Sequence, residues 1–273
     1  MDNNKIKSAA EIVQGVVEAV PVYEDAIQPV AKQAGEALNT AGGLVNLVLR
    51  PVKSAVIAGN MFMDRLDELL RERLAGQEAD KIQAPAPNIT GSIVSILPFV
   101  LDVDELRNMY VNLLGAAMHA HYEDVVHPGF GEIIKQLTPN EAAFLQYFYP
   151  KDQCPLIELR LQEVGTYGFY NSMMFCAVEG GDTFGNMYER VVGLRNMERL
   201  GLLYLTTAEW SLGEDCYEVV KNAPEYIEYI QQHEKEGKVT VGENKGLVKL
   251  TEFGKHFITI CVKSPFDRGE VVS

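Results

Sequence analysis

Leu200-Gly201-Leu202-Leu203-Tyr204-Leu205-Thr206 and Gly246-Leu247-Val248-Lys249-Leu250-Thr251-Glu252-Phe253-Gly254 are the two stretches that decide the fold. Each holds a short β-branched or leucine-rich run that reads as a strand. The first follows a helical pattern over about Asn186 to Leu200, which Gly201 stops. The second runs into Thr251, a side chain suited to cap a helix over Glu252 to Val262. The resulting order is helix, strand, strand, helix. About 40 residues separate the two strands, including Asp215 to Lys235, with a helix expected near Glu225 to Glu234.

This order is similar to that of winged-helix domains, in which Leu-Gly-Leu ends the recognition helix and Leu-Thr-x-x-Gly ends the second strand. The long segment between the strands departs from an ordinary wing and argues against simple groove insertion. Working upstream, Thr138-Pro139-Asn140-Glu141 is a helix start, with a Thr cap, Pro at the first position and Glu at the third. Leu156 to Glu163 alternates in part and reads as a strand. Gly165, Gly168, Gly180, Gly181 and Gly185 match no phosphate-loop spacing and read as a mobile loop. Asp102 is the expected cap of a helix through Leu106, Met109, Tyr110, Leu113, Leu114 and Met118.

The N-terminal third is helical by pattern. Ile12, Val13, Val16, Val17 and Val20 share one face before Pro21, and Ile27, Val30, Ala31, Ala34, Leu38 and Ala41 share another before Gly42-Gly43. Val52, Val56, Gly59, Met63, Leu66, Leu70 and Leu74 form a heptad-like seam, with Asp64, Arg65, Asp67, Glu68, Arg71 and Glu72 mostly outside it. Residues 76–92 lose the periodicity and read as a linker. Ile82 to Leu101 has no charge over 20 residues, but Pro85, Pro87, Asn88 and Pro98 oppose a membrane span. The expected fold is mainly α: an N-terminal helical bundle region (1–75), the linker, and a C-terminal helical domain (93–273). That domain contains a modified winged helix over about 138–263 with a small β-hairpin, and insertions near 154–184 and 207–246.

Composition bounds the chemistry. The 273 residues are 47% apolar and 23% charged, enough for a substantial core. The formal charge of -14 disfavours non-specific binding to nucleic acid or anionic lipid. Arg195 and Arg199 lie on the helix before Leu200-Gly201-Leu202, with Glu189 and Glu198 among them and Arg190 turned away. Residues 184–273 hold 11 basic and 14 acidic side chains, which favours a protein contact over a DNA reader. Cys154, Cys176, Cys216 and Cys261 make no CxxC pair and read as free thiols in a reducing compartment, so the cytoplasm is the expected location. The first residues carry no signal-peptide pattern.

His119, His121, Glu123, Asp124 and His127 are metal-capable, yet on a helix positions 119 and 121 point about 200° apart, so no metal is expected. His127-Pro128-Gly129 reads as a rigid turn, His127 bonding a nearby carbonyl. Asp102-Val103-Asp104-Glu105 needs no cation to explain an acidic first turn. No GxSxG, HExxH or kinase-type set occurs, and an enzyme is not expected.

Spread along the chain are Tyr23-Glu24-Asp25, Pro29, Gly35, Pro85, Leu113-Leu114, His127-Pro128-Gly129-Phe130 and Ile134-Lys135-Gln136-Leu137-Thr138. Leu200-Gly201-Leu202, Leu250-Thr251, Gly254 and Phe257 follow. In this order they resemble the Abi-alpha family, the abortive-infection alpha proteins of bacteria. The resemblance implies a non-catalytic part in anti-phage defence, and brings no catalytic residue and no cofactor. The expected partner is a protein or a phage component, with a homo-oligomer allowed and nucleic acid disfavoured by charge. Membrane contact by the N-terminal helices is expected only after activation. Those helices are the expected effector or oligomerisation surface, and the second domain the expected recognition surface. A DNA-binding regulator and a membrane-disrupting effector are the alternative readings.

Overall fold

The computed structural model describes residues 40, 42–49, 60–148, 151–176, 184, 186–208, 213–234 and 239–266. The chain divides into two compact units, one comprising residues up to Gln136 and again from Thr259, the other Leu137–Ile258.

In the first unit the described helices are α1 (Gly43–Leu49), α2 (Asn60–Arg73), α3 (Pro87–Val100), α4 (Asp104–Ala117) and α5 (Gly129–Ile134). Helix α4 is the centre: Met109 to Ala117 is buried without a break, and α2, α3 and α5 all pack against it. Enclosed on every side over that span, the helix has no solvent face to offer there. Leu66 and Leu70 of α2, and Leu74 just after it, are buried as the heptad spacing predicts. Asp67 departs from that pattern. Only 5% exposed, it accepts from the backbone N–H groups of Gly42, Leu44 and Val45 at 3.1, 3.1 and 3.2 Å, satisfying the open first turn of α1. Arg71 holds the same carboxylate at 2.6 Å and also donates to the Thr40 carbonyl.

Two expectations for this unit are corrected. The linker expected at 76–92 is packed: Ala79–Lys81 forms a 3-10 turn, Ile82 bridges to His119, Gln83 N donates to Met118 O at 2.7 Å, and α3 begins at Pro87. Loss of periodicity there marks a change of element, and its backbone groups are met by the end of α4. The helix-capping role expected of Asp102 is also not observed. Val103 occupies the cap position with no side-chain bond, and the acids of the first turn are Asp104 and Glu105. The chain returns at Thr259, where a π-turn over Ile258–Val262 leaves carbonyls outside the α-helical pattern. Asn112 of α4 donates to one of them, Cys261 O, at 2.8 Å.

The second unit runs α6 (Pro139–Tyr147), β1 (Gln153–Glu163), β2 (Phe169–Cys176), α7 (Met187–Arg199), β3 (Leu203–Thr206), α8 (Glu214–Lys221), α9 (Pro224–Glu234), β4 (Val239–Leu250) and α10 (Glu252–Phe257). Its sheet has the order β2-β1-β4-β3, antiparallel throughout. The small hairpin expected is therefore a four-stranded sheet. Gly165 and Gly168 lie in the turn between β1 and β2, Gly165 taking φ +88 and Gln162 Nε2 donating to Thr166 O at 2.6 Å. Gly180, Gly181 and Gly185 lie outside the described residues. Among the described residues the fold is mainly α, with this one sheet.

The two deciding stretches interlock. Gly201 takes φ +75 and ends α7. Thr251 Oγ1 accepts from Gly254 N at 2.8 Å and donates to Gly201 O at 2.5 Å, while Thr251 N donates to Leu202 O at 3.1 Å. A Cβ on Gly254 would lie 2.1 Å from Leu202 O, so only glycine permits this approach. At Thr138 the expected capping box is present in both directions, and the Glu141 carboxylate also receives Asn196 Nδ2 of α7 at 3.1 Å. One sheet face carries Ile157, Leu159, Leu161, Met173 and Phe175, covered by Tyr217 and Val220 of α8 and Tyr226 and Tyr229 of α9.

Candidate interaction face

Helix α7 is fixed on three sides, which leaves one face outward. Asn186 caps its start by accepting from Tyr188 N and Glu189 N at 3.0 Å each. Leu194 and Met197 are buried, Gly193 lies against Phe184 and Glu141, and Val191 packs toward the α8–α9 core. Tyr188, Val192, Arg195 and Arg199, spaced four, three and four, then fall in one outward stripe. Tyr188 is 71% and Val192 68% exposed. Arg190 is buried, as its opposite angular position predicts.

The two outward arginines are engaged within their own helix. Arg195 pairs with Glu198 at 2.7 Å, and Arg199 donates to Asn196 Oδ1 at 2.7 Å. Glu198 also accepts from Leu205 N of β3 at 3.3 Å, so its carboxylate is held where it offsets the Arg195 charge. The stripe is thus an aromatic and an aliphatic side chain followed by a partly neutralised cationic end. Position on the helix before Leu200-Gly201-Leu202 singled out Arg195 and Arg199 but not Tyr188 and Val192. On a helical wheel they align with the two arginines, and that alignment was the available signal.

His119 is buried against the rings of Tyr122 and Phe266, at 5.4 and 5.5 Å, and its Nδ1 accepts from His121 N at 3.2 Å. Burial holds its pKa below the usual histidine range, with the nearby His121 and Lys81 charges acting the same way and Glu78 opposing. His127 Nδ1 accepts from Gly129 N at 3.0 Å, the residue after Pro128 turning its N–H back toward the ring. Among the described residues no group of three or more His, Cys, Asp or Glu side chains converges for a metal ion. Cys154 and Cys176 are hydrogen-bonded to each other, and that bond together with burial pushes the Cys154 thiol well up; burial alone does so for Cys261. Such thiols are poor nucleophiles. Tyr23, Asp25, Pro29 and Gly35 lie outside the described residues, as do the two helices expected before Gly42. Among the described residues no helix is long and apolar enough to cross a membrane.

The family model for abortive infection alpha matches residues 60–261. The chain belongs to the abortive infection alpha family. The match spans α2 through the π-turn, so it includes most of the described first unit and all of the second, with the interlocked Leu200-Gly201-Leu202 and Leu250-Thr251-Glu252-Phe253-Gly254 stretches. Membership in abortive infection alpha points to a role in abortive infection, the defence in which an infected bacterium arrests or dies. No curated protein and no solved structure matches the chain.

Proposed function

We propose that this abortive infection alpha protein is a non-catalytic component of anti-phage defence, and that it acts by holding a protein on the outward face of α7. The observation that carries this reading is the exposure of Tyr188 and Val192 beside arginines already committed to Glu198 and Asn196. A DNA-reading helix gains most of its affinity from cations placed on phosphates. A face led by a tyrosine and a valine resembles the centre of a protein interface, where aromatic anchors dominate.

The second unit reads as a modified winged helix. The order β1-β4-β3, with α6 before it, α7 leading into β3 and α10 after β4, supports that arrangement. In this reading the β1–β2 hairpin extends the sheet, and α8 with α9 replaces a wing and covers one sheet face. The partner is a host protein or a phage component.

Phage plating on bacteria producing the full chain tests the proposal. Tyr188→Asp with Val192→Asp is expected to restore plaques while protein level and melting temperature stay as in the wild type. Unchanged protection would remove α7 from the function. A gel shift at low salt, lost when Arg195 and Arg199 are both replaced by Ala, would favour the DNA-binding regulator instead.

A further inference from the structure

In the first unit the returning chain, Thr259 to Phe266, covers one side of α4. The stripe it covers is polar or small: Asn112 and Gly115, with His119 just past the helix end. Asn112 Nδ2 donates to Cys261 O at 2.8 Å and reaches Val262 O at 3.5 Å, Tyr122 Oη donates to Pro265 O at 3.0 Å, and the Phe266 ring lies against His119 and Tyr122. A Cβ on Gly115 would meet Arg73 Cγ at 3.3 Å and Phe266 Cε2 at 3.4 Å, so the arginine of α2 and the Phe266 ring come together over one point of α4. Among the described residues, three buried polar atoms of this contact have no hydrogen-bond partner: Asn112 Oδ1, His119 Nε2 and Arg73 Nε. Because His119 Nδ1 accepts from His121 N, Nε2 carries the hydrogen and lacks an acceptor.

We propose that Thr259–Phe266 is an autoinhibitory strap: closed on α4 it holds the first unit in a resting form, and open it gives the form that arrests the cell. A protein of abortive infection has to be inactive in a healthy cell, and the closed strap is such a form. The contact is built to open. A buried donor or acceptor without a partner is costly, and each of the three orphan atoms gains water when the strap lifts. Opening therefore costs less than parting the apolar contacts around Met109 and Leu113, and it is a local event rather than unfolding of the unit. It breaks the Asn112 and Tyr122 bonds and the Phe266 ring contact, uncovers Asn112, Gly115 and His119, and leaves the packing of α4 on α3 and α5 in place. The strap is also the exit of the chain from the second unit, so an event there has a covalent route to it. The proposal does not depend on which protein α7 holds.

Cys261, 0% exposed beneath the strap bonds, reports the opening. The purified full chain is labelled with iodoacetamide in urea below its unfolding transition, and the modified cysteines are identified by peptide mass. Tyr122→Phe with Phe266→Ala removes the bond to Pro265 and one ring of the contact. Tyr110→Phe is the matched control, since it removes the bond from Tyr110 Oη to Gly131 O, 3.1 Å, elsewhere in the same unit. The strap variant is expected to label at Cys261 about tenfold faster than the wild type. Tyr110→Phe should leave that rate unchanged, and Cys154 and Cys176 should not respond to either. In uninfected bacteria producing each chain at an equal level, the strap variant alone slows growth. Tyr122→Phe by itself, which keeps every ring, shifts both readouts in the same direction by less and serves if the double variant does not fold. Equal acceleration at Cys261 by Tyr110→Phe means that the thiol is reached only through unfolding of the unit, and overturns the proposal. Normal growth with the strap variant overturns it, as does equal arrest by the wild type or by Tyr110→Phe.

Discussion

Replacing Gly254 by alanine tests the interlock that joins the two deciding stretches. An added Cβ would lie 2.1 Å from Leu202 O, 2.9 Å from its carbonyl carbon and 3.2 Å from its Cα. All three are backbone atoms, so no side-chain rotation relieves the contact, and α10 must move away from the β3 start by about 1 Å to reach ordinary separation. That movement weakens Thr251 N to Leu202 O and Thr251 Oγ1 to Gly201 O, now 3.1 and 2.5 Å. Overpacking costs about 1–3 kcal/mol and each weakened bond about 1 kcal/mol. Alanine returns about 1 kcal/mol through its better helix propensity. The net is a loss of about 3 kcal/mol, or roughly 10 °C in melting temperature for a unit of this size. Gly91 of α3 is the control, since a Cβ there meets nothing within 4 Å. Gly91→Ala is expected to raise stability by about 0.5–1 kcal/mol. Urea unfolding followed by circular dichroism measures both. If Gly254→Ala melts within a degree or two of the wild type, the close approach does not fix the α7–β3–α10 geometry and the reasoning fails.

Three further outcomes follow from the first unit. Asn112→Ala removes the donor to Cys261 O and leaves a π-turn carbonyl buried; a loss of about 1–3 kcal/mol is expected in urea, and no loss would mean that the return segment is held by other contacts. His119, its pKa held down by burial, stays neutral in the folded chain at a pH where the unfolded chain takes up a proton. Stability therefore falls as pH drops below about 6.5, and His119→Gln, which keeps an acceptor for His121 N, flattens that part of the melting-temperature profile. An equally steep profile in the variant would assign the effect to other groups. Deleting residues 1–75 removes α1 and α2, with the buried Leu66, Leu70 and Leu74 and the Asp67 cap, and so strips the α2 face from α4; the first unit should lose its cooperative melt. A truncated chain that melts as the intact one does would show that α2 adds little to that core.

Local chemistry was legible in the sequence and long-range partnership was not. Thr138, Thr251 and Gly201 act on residues within three or four positions, so their spacing alone placed α6, α10 and the end of α7. Asp67 reads as one more surface acid in a heptad because the N–H groups it caps lie 22 to 25 residues earlier. Strand β2, Phe-Tyr-Asn-Ser-Met-Met-Phe-Cys, shows no clean alternation and was hidden among glycines; pairing with β1 defines it. The division at Gln136 was invisible for the same reason, since the return of the chain at Thr259 to the first unit depends on contacts such as Asn112 to Cys261. Tyr188 and Val192 illustrate the limit at the candidate face. A helix with apolar residues on two sides does not say which side is buried, and the packing of Leu194 and Met197 decides it.

The most direct test of the account is culture survival and plaque count after infection at low and high multiplicity, for the full chain and for Tyr188→Asp with Val192→Asp. The account predicts that the wild-type chain suppresses plaques at low multiplicity and that its culture collapses at high multiplicity, as abortive infection requires. The variant, folded and equally abundant, should behave like a strain without the protein. Protection by the variant equal to that of the wild type would contradict the claim that the outward face of α7 carries the defence.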